Sequence, residues 1–265
     1  MSDPFQDVDS AGIEFAEVTA KTMEIRQSEP VMEKIVNDYL IELEFTTDRP
    51  TVEIGCGPGA ISRRIAKHAK GTQVIGFDPS SNYIDIARNQ SGDLNNLEFQ
   101  VFDGDRIPLN DGGAESVIMH TVLSHVVEPS KLIAEAYRVL GNGGKLVICD
   151  ADFSKATLSS SLEDPLALAS AYFVRSHVTD PNLLKKIGPL CSSAGFAVDK
   201  FDMASRVVMG DGMRMWVEVA AKAMTDGQDI SPQLGEALVA EYDHRVKEKK
   251  LYGFLPFFTF VALKP

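Results

Sequence analysis

Val52-Glu53-Ile54-Gly55-Cys56-Gly57-Pro58-Gly59-Ala60 is the stretch that decides the fold of this chain. A short apolar strand, 51–54, runs into three glycines at alternate positions, and a helix follows. Gly55 and Gly57 permit a positive φ and let the backbone approach a ligand with no Cβ in the way. The helix N-terminus offers free N–H groups and the positive end of a dipole. The stretch therefore predicts a site for an anionic group such as a carboxylate or a phosphate.

Short apolar segments then alternate with amphipathic ones. Further strands are predicted at 73–77, 97–102, 115–120 and 145–149. One intervening helix is capped by Ser80 or Ser81, and another begins at Pro129 and is predicted to end at Gly141 in a left-handed C-terminal cap. This alternation predicts an α/β fold with a parallel sheet built from right-handed βαβ units.

Two late strands follow the alternating region. Residues 199–208 alternate between apolar and polar, and residues 257–263 are strongly apolar. Because a long connection joins these consecutive strands, they indicate an antiparallel edge on an otherwise parallel sheet.

Helical segments surround this core. Residues 13–46 are predicted to be helical, and the less regular segments 153–180 and 209–250 are predicted to be inserted helices. We expect residues 1–48 to form an N-terminal helical cap. Residues 49–265 are expected to form one Rossmann-like domain, in which the two inserted segments act as lids.

Bulk properties exclude several classes of function. The net charge of −12 disfavours a nucleic-acid partner, whose phosphates need Lys and Arg contacts. The 3 cysteines lack metal-ligand spacing, no His, Asp and Glu group suggests a metal site, and a reducing compartment is indicated. The N-terminus is too polar for a signal peptide, and the apolar stretch 253–263 is too short to cross a membrane. We therefore expect a cytoplasmic protein without membrane contact.

Acidic loops follow the second and third strands. Asp78-Pro79 ends the second strand, where a carboxylate can accept both hydroxyls of a ribose. Asp103-Gly104 follows the third strand, where a carboxylate can accept the exocyclic amine of adenine. Both loops lie at the carboxyl ends of neighbouring strands, the edge at which open α/β sheets bind ligands.

A dinucleotide-binding enzyme is one alternative, since Gly55-x-Gly57-x-x-Ala60 matches a degenerate GxGxxA motif. Three features disfavour NAD. Glu53 precedes the glycines by two residues, the third glycine is Gly59 rather than one place later, and no second nucleotide-binding half follows.

Taken together, these motifs resemble those of the class I S-adenosylmethionine-dependent methyltransferases, in particular the ubiquinone and menaquinone biosynthesis branch and its small-molecule relatives. The pattern Glu53-x-Gly55-x-Gly57-x-Gly59 is similar to the first motif of the family, and 115–150 is similar to its fourth and fifth strands with their helix. The likeness is firm over about 50–150. It implies a doubly wound sheet of seven strands, ordered 3-2-1-4-5-7-6, with strand 7 antiparallel. The segments outside it are expected to shape the substrate pocket.

The resemblance also implies S-adenosylmethionine as cofactor and a set of residues that bind it. This set comprises Glu53, Gly55, Cys56, Gly57, Gly59, Asp78, Pro79, Phe102, Asp103, Gly104, His120 and Thr121. Cys56 enters it only as a small residue that fits the glycine loop. Arg26 can reach the carboxylate of the cofactor, although a solvated arginine is the preferred interpretation.

Two histidines just past the fourth strand are the candidate catalytic bases. The resemblance places His120 beside the methionine part of the cofactor, whereas His125 faces either the acceptor or the helix that it begins. A purely structural histidine is an equal alternative for each. His177 is a weaker candidate and is predicted to lie on a surface loop. Trp216, Tyr172 and Phe173 can line an apolar acceptor pocket, with a core role as the alternative.

The predicted activity is methyl transfer to an O, N or C atom of a small, apolar metabolite by in-line displacement. The alternatives are an NAD-dependent oxidoreductase and a fold that keeps the cofactor but acts as a cyclase or a binder. The sequence leaves the oligomeric state open, with a homodimer as an option.

Overall fold

The computed structural model of the chain describes residues 3–46, 48–161 and 163–265. Seven strands form one sheet in the order β3-β2-β1-β4-β5-β7-β6. Their bounds are β1 Thr51–Ile54, β2 Val74–Asp78, β3 Leu97–Val101, β4 Ala114–His120, β5 Leu140–Ala151, β6 Ala197–Val208 and β7 Gly253–Leu263. β7 runs antiparallel to both of its neighbours, and the other pairs are parallel. The topology that the resemblance implies is confirmed.

Helices cover both faces of the sheet. They are α1 Val8–Ala11, α2 Ile13–Gln27, α3 Pro30–Leu40, α4 Ala60–His68, α5 Ser81–Gln90, α6 Pro129–Val139, α7 Pro165–His177, α8 Leu184–Ser193, α9 Arg214–Asp226 and α10 Pro232–Lys247. On one face α3, α4, α7, α9 and α10 enclose a large apolar core, and on the other α6 and α8 enclose a second. β1, β2 and β4 lie between these cores and are wholly buried.

Residues 13–46, predicted to be helical, contain two helices, and the helical region ends earlier than predicted. The structure has two helices, because Pro30 lacks the N–H that a continuing helix needs and instead starts α3 in its first turn. α3 ends at Leu40.

The predicted C-terminal cap at Gly141 is also wrong. α6 ends at Val139, β5 begins at Leu140, and the left-handed residue is Gly143, with φ 79°. A Cβ at Gly141 would lie 1.5 Å from Nη1 of Arg49, so this glycine makes room for a guanidinium. Arg49 in turn forms an ion pair with Glu115 at 2.6 Å.

The two late strands are longer than predicted. β6 and β7 pair without interruption from Ala197 opposite Leu263 to Val208 opposite Gly253, apart from one register shift near Val198. Each strand is therefore paired along the whole length of its partner.

Within the described ranges, no helix has the length and apolar character needed to traverse a lipid bilayer.

Candidate cofactor and acceptor site

A cavity of about 500 Å³ opens at the carboxyl ends of β1, β2 and β4. Its place between β1 and β4 is where the strand order reverses, the usual ligand site of open α/β sheets. The predicted residues that line it are Glu53, Gly55, Cys56, Gly57, Asp78, Pro79, Phe102, Asp103, Gly104, His120, Thr121 and His125. Among the residues predicted to bind the cofactor, Gly59 is not part of this described lining. It precedes α4, and its Cα packs against Phe99.

The glycine turn is held against the end of β2. Gly55 and Cys56 donate their N–H groups to the carbonyl of Phe77 at 2.7 and 3.0 Å. Gly57 donates its N–H to Oδ2 of Asp78 at 2.8 Å. Gly55 and Gly57 have φ of 71° and 50°, a conformation that a side chain disfavours. Strand tip and glycine turn therefore form one rigid floor.

Asp78 is a buried carboxylate at this floor. Its Oδ1 accepts the N–H of Ser80 at 2.9 Å, and Ser80 caps α5. Burial raises the pKa of Asp78 to about 6, and the N–H groups of Ser80 and Gly57 oppose that rise. The side chain is ionised at neutral pH, and its two oxygens still have lone pairs for ligand hydroxyls.

Glu53 lies deeper, at the end of β1. Burial raises the pKa of Glu53 to about 8, although the hydroxyl of Ser62 donates to its Oε2. The carboxyl group is therefore largely protonated at neutral pH. It can donate a hydrogen bond into the cavity, as an ionised group cannot.

The third loop is more open. Oδ1 of Asp103 accepts the N–H groups of Asp105 and Arg106, each at 2.9 Å, and this lowers the pKa of the exposed carboxylate. Phe102 beside it is buried against Phe77, with ring centroids 6.2 Å apart. The loop thus presents an apolar ring and an ionised carboxylate to the cavity.

Arg26 corrects a sequence-based interpretation. It is half-buried rather than free in solvent: it lines the cavity from α2, and its Nη2 donates to Oγ1 of Thr121 at 3.0 Å. Burial, reinforced by the charge of Arg206, lowers the pKa of Arg26 to about 10. Its buried Nε has no hydrogen-bond partner among the described residues. Thr121, with φ 56°, holds a backbone conformation that is rare for a β-branched residue.

The two candidate bases differ in their surroundings. Both ring nitrogens of His120 form hydrogen bonds. Nε2 of His120 lies 2.9 Å from Nε2 of Gln27, and Nδ1 lies 3.2 Å from the hydroxyl oxygen of Tyr39. Burial lowers the pKa of His120 well below its ordinary value. His125 meets Oδ2 of Asp3 through Nδ1, at 2.8 Å, and lines the cavity.

Aromatic rings form one wall of the cavity. Phe173 and Trp216 are stacked with centroids 4.3 Å apart, and Phe153 lies 5.9 Å from Trp216. Of the three aromatic candidates, Tyr172 is buried but is not among the described lining residues. The surface location predicted for His177 is wrong, since it is 7% exposed and is stacked on Phe173.

Sequence reasoning missed several lining residues, among them Phe5, Met23, Phe153, Met215 and Leu255. They come from segments far apart in the chain, and no local motif marks them. Among the described residues, no group of three or more His, Cys, Asp or Glu side chains is arranged to hold a metal ion.

The described donors fit S-adenosylmethionine. The buried, unpartnered Nε of Arg26 needs an anion such as the carboxylate of the cofactor. A Cβ at Gly57 would meet no atom closer than 3.6 Å, so the turn leaves space for a ligand. Asp78 and the Asp103 loop supply acceptors for hydroxyl and amine donors.

Comparison with known proteins agrees with this geometry. The Methyltransferase domain family matches residues 52–148. An uncharacterized protein of a Streptomyces fradiae transposon is 33% identical over 59% of the chain, and a Tropheryma whipplei demethylmenaquinone methyltransferase is 32% identical over 41%. The chain spans less than half the length of these two relatives, 46% and 44%. It spans 82% of an uncharacterized methyltransferase of Schizosaccharomyces pombe, which is 27% identical over 79% of the chain.

Solved structures share the fold at low sequence identity. A Haemonchus contortus phosphoethanolamine N-methyltransferase in complex with S-adenosylhomocysteine aligns with a TM-score of 0.52 and 19% identity, over 86% of this chain and 53% of that one. The [4+2]-cyclase SpnF aligns with a TM-score of 0.55 and 18% identity, over 88% of this chain and 82% of that one.

The matched domain and the strand order define the class of fold: it is that of the class I S-adenosylmethionine-dependent methyltransferases. Residues 52–148 match the Methyltransferase domain, and the chain is similar to a demethylmenaquinone methyltransferase and a ubiquinone biosynthesis O-methyltransferase over 41% and 40% of its length.

Proposed function

We propose that this protein transfers the methyl group of S-adenosylmethionine to an O, N or C atom of a small, apolar metabolite. The observation that carries the proposal is the polarity of the cavity. The cavity is lined by the Asp78 carboxylate and the Arg26 guanidinium and also by a wall of stacked aromatic rings. A polar, zwitterionic cofactor suits the charged lining, and an apolar acceptor suits the aromatic wall.

In the proposed complex, Asp78 accepts the ribose hydroxyls, and the loop of Phe102, Asp103 and Gly104 holds the adenine. Arg26 pairs with the carboxylate of the methionine part, beside His120 and Thr121. The cofactor supplies an activated methyl group. The protein aligns the acceptor and excludes water, since an in-line displacement depends mainly on alignment.

The segments outside the matched domain are proposed to close the site. Residues 1–48 act as a helical cap, because α2 brings Arg26 and Met23 to the cavity. The inserted segments 153–180 and 209–250 act as lids, because they supply Phe153, Phe173 and Trp216. The acceptor identity is set by these segments.

Other aspects of the proposal rest on composition and on the relatives. The quinone-related substrates named for two relatives support a small-molecule acceptor. The net charge of −12 argues against nucleic acid, and three buried free cysteines suit the cytoplasm. The exposed apolar residues of β6, such as Phe201 and Met203, leave a homodimer as an option.

Calorimetry with two ligands tests the assignment of the cofactor-binding residues. S-adenosylhomocysteine has both the adenosine and the amino-acid part, whereas 5′-methylthioadenosine lacks the carboxylate. We expect Asp78→Ala to weaken both ligands. Arg26→Gln is expected to weaken S-adenosylhomocysteine by about tenfold or more, as loss of a charged hydrogen bond does, and to leave methylthioadenosine unchanged.

If neither ligand binds the wild-type protein, the proposed function is wrong. Equal effects of Arg26→Gln on both ligands would remove only the carboxylate assignment. Saturable binding of NADH, followed by its fluorescence, would instead favour the oxidoreductase. Binding of S-adenosylmethionine without formation of S-adenosylhomocysteine from any acceptor would favour a cyclase or a binder.

A further inference from the structure

Asp3 forms a hydrogen-bonded pair with His125 beside the aromatic wall of the cavity. Oδ2 of Asp3 lies 2.8 Å from Nδ1 of His125, and it also accepts the N–H and the hydroxyl of Thr179 at 3.1 and 3.0 Å. Oδ1 accepts the N–H of Phe5 at 3.0 Å. Because Oδ2 of Asp3 acts as an acceptor towards the N–H and hydroxyl of Thr179, it also accepts from Nδ1, and the pair selects the tautomer of His125 with the proton on Nδ1.

The ring of His125 is also held in place. Its centroid lies 4.8 Å from that of Phe5 and 5.9 Å from that of Phe153. The Asp3 side chain is 3% exposed and that of His125 15%. With Nδ1 committed to Asp3, Nε2 carries the lone pair. His120, by contrast, has both nitrogens engaged by Gln27 and Tyr39.

We propose, building on the methyltransferase function above, that Asp3 positions His125 as the general base for an acceptor hydroxyl. His125 is then the catalytic residue and Asp3 a positioning residue. The acceptor class is a phenol, because its flat ring matches the wall of Phe153, Phe173 and Trp216.

Methyl transfer to a phenol removes one proton from the acceptor and breaks one methyl–sulfur bond. The acceptor oxygen forms a bond to the methyl carbon as the methyl–sulfur bond breaks, and that bonding pair stays on sulfur. The O–H bond breaks, and its proton moves to Nε2 of His125. The resulting imidazolium is stabilised by the Asp3 carboxylate and later releases the proton to water.

Two phenols distinguish a base from a packing residue. We would compare phenol with 4-nitrophenol, whose hydroxyl ionises readily without a base, at saturating S-adenosylmethionine. His125→Gln is expected to lower kcat/KM for phenol by about 10²–10⁴ and to affect 4-nitrophenol far less. Asp3→Asn is expected to show the same pattern with a smaller loss. His68→Gln and Asp38→Asn, both exposed and outside the cavity, serve as matched controls and should change neither rate.

Equal losses with both phenols would indicate lost packing and would overturn the base assignment. The pH dependence gives a second test. With phenol, kcat/KM of His125→Gln should rise steeply with pH, because only the ionised phenol then reacts, and kcat/KM of the wild type should rise less steeply, because His125 removes the proton. The other titratable groups facing His125 are Asp3, Asp150 and His177, so Asp150→Asn and His177→Gln must keep the shallower pH dependence of the wild type.

The tautomer can be read without any substrate. In protein labelled with ¹⁵N-histidine, NMR should show His125 of the wild type protonated at Nδ1. Asp3→Asn should shift the population towards Nε2–H, and Asp3→Glu should restore part of the original state. An unchanged tautomer in Asp3→Asn overturns the role of Asp3.

Calorimetry with S-adenosylhomocysteine separates this proposal from the one it builds on. If the wild-type protein does not bind S-adenosylhomocysteine, the proposed function itself is contradicted. Intact binding with neither phenol methylated overturns the hydroxyl assignment alone.

Discussion

Gly59 shows how strongly a single position in the glycine turn is constrained. It has φ 80°, and a Cβ added there would lie 2.5 Å from Cζ of Phe99. Gly71 has a similar φ of 92°, but a Cβ there would meet no atom within 4 Å. Comparing substitutions at the two glycines therefore distinguishes the cost of a strained backbone from the cost of a steric clash.

We expect Gly59→Ala to destabilise the protein more than Gly71→Ala. Both substitutions incur the cost of the left-handed region, about 1–2 kcal/mol. Gly59→Ala must also displace Phe99, which adds about 1–3 kcal/mol for overpacking. Urea unfolding of both variants measures the difference. Equal losses would mean that Phe99 moves aside freely.

The start of α5 depends on a side chain from another element. The Asp9 carboxylate, in α1, accepts the N–H groups of Ser81 and Asn82 at 2.9 and 3.2 Å and the hydroxyls of Ser80 and Ser81. Burial raises the pKa of Asp9, but the hydrogen bonds from Ser80 and Ser81 outweigh it, so the pKa is lowered. α1 is thus tied to the loop that follows Asp78.

Asp9→Ala should lower the free energy of unfolding by about 0.5–2 kcal/mol, as loss of a helix cap does. Hydrogen exchange in the first turn of α5 should rise. Asp7→Ala is the control, since Asp7 caps only α1 through the N–H of Ser10. Because the folded pKa of Asp9 is lowered, its stabilisation is present above pH 3.8 and is lost at lower pH. A gap between wild type and Asp9→Ala that persists at pH 2 would contradict this account.

At the scale of the whole molecule, the buried Glu53 couples stability to pH. Its pKa is raised by burial to about 8 in the folded chain, from an ordinary 4.5. Between these values the native state holds a proton that the unfolded state releases. Its contribution to stability is therefore present below pH 4.5, falls as pH rises to about 8, and is then constant.

Glu53→Gln should flatten the pH dependence of the unfolding free energy between pH 7 and pH 8. In that window Asp78, with its pKa at about 6, is already ionised, so Glu53 dominates the slope. The slope that disappears is at most about 1.4 kcal/mol per pH unit. Denaturant titrations at several pH values provide the measurement, with the exposed Glu14→Gln as control. An identical slope in Glu53→Gln and wild type would show that Glu53 is ionised when folded.

Sequence analysis alone was sufficient to predict the class of fold, and it supplied the proposed residues of the cofactor site. The glycine turn and Asp78 belong to a local pattern in which a strand is followed by a tight loop and a helix. A pattern of this kind involves residues that are close together in the sequence, so it can be recognised without the structure. The strand order followed from resemblance to a known family. The prediction of a cap at Gly141 was wrong because α6 ends at Val139 and β5 already begins at Leu140, so Gly141 lies within the strand.

The folded structure was needed to show which distant side chains come together in the cavity. Asp3 and His125 are 122 residues apart in the chain, and Arg26 and Thr121 are 95 apart. No local pattern predicts these pairs, since packing of the helices against the sheet brings them together. The partial burial of Arg26 and the burial that raises the pKa of Glu53 have the same origin. In both cases the surrounding residues become neighbours only when the chain folds.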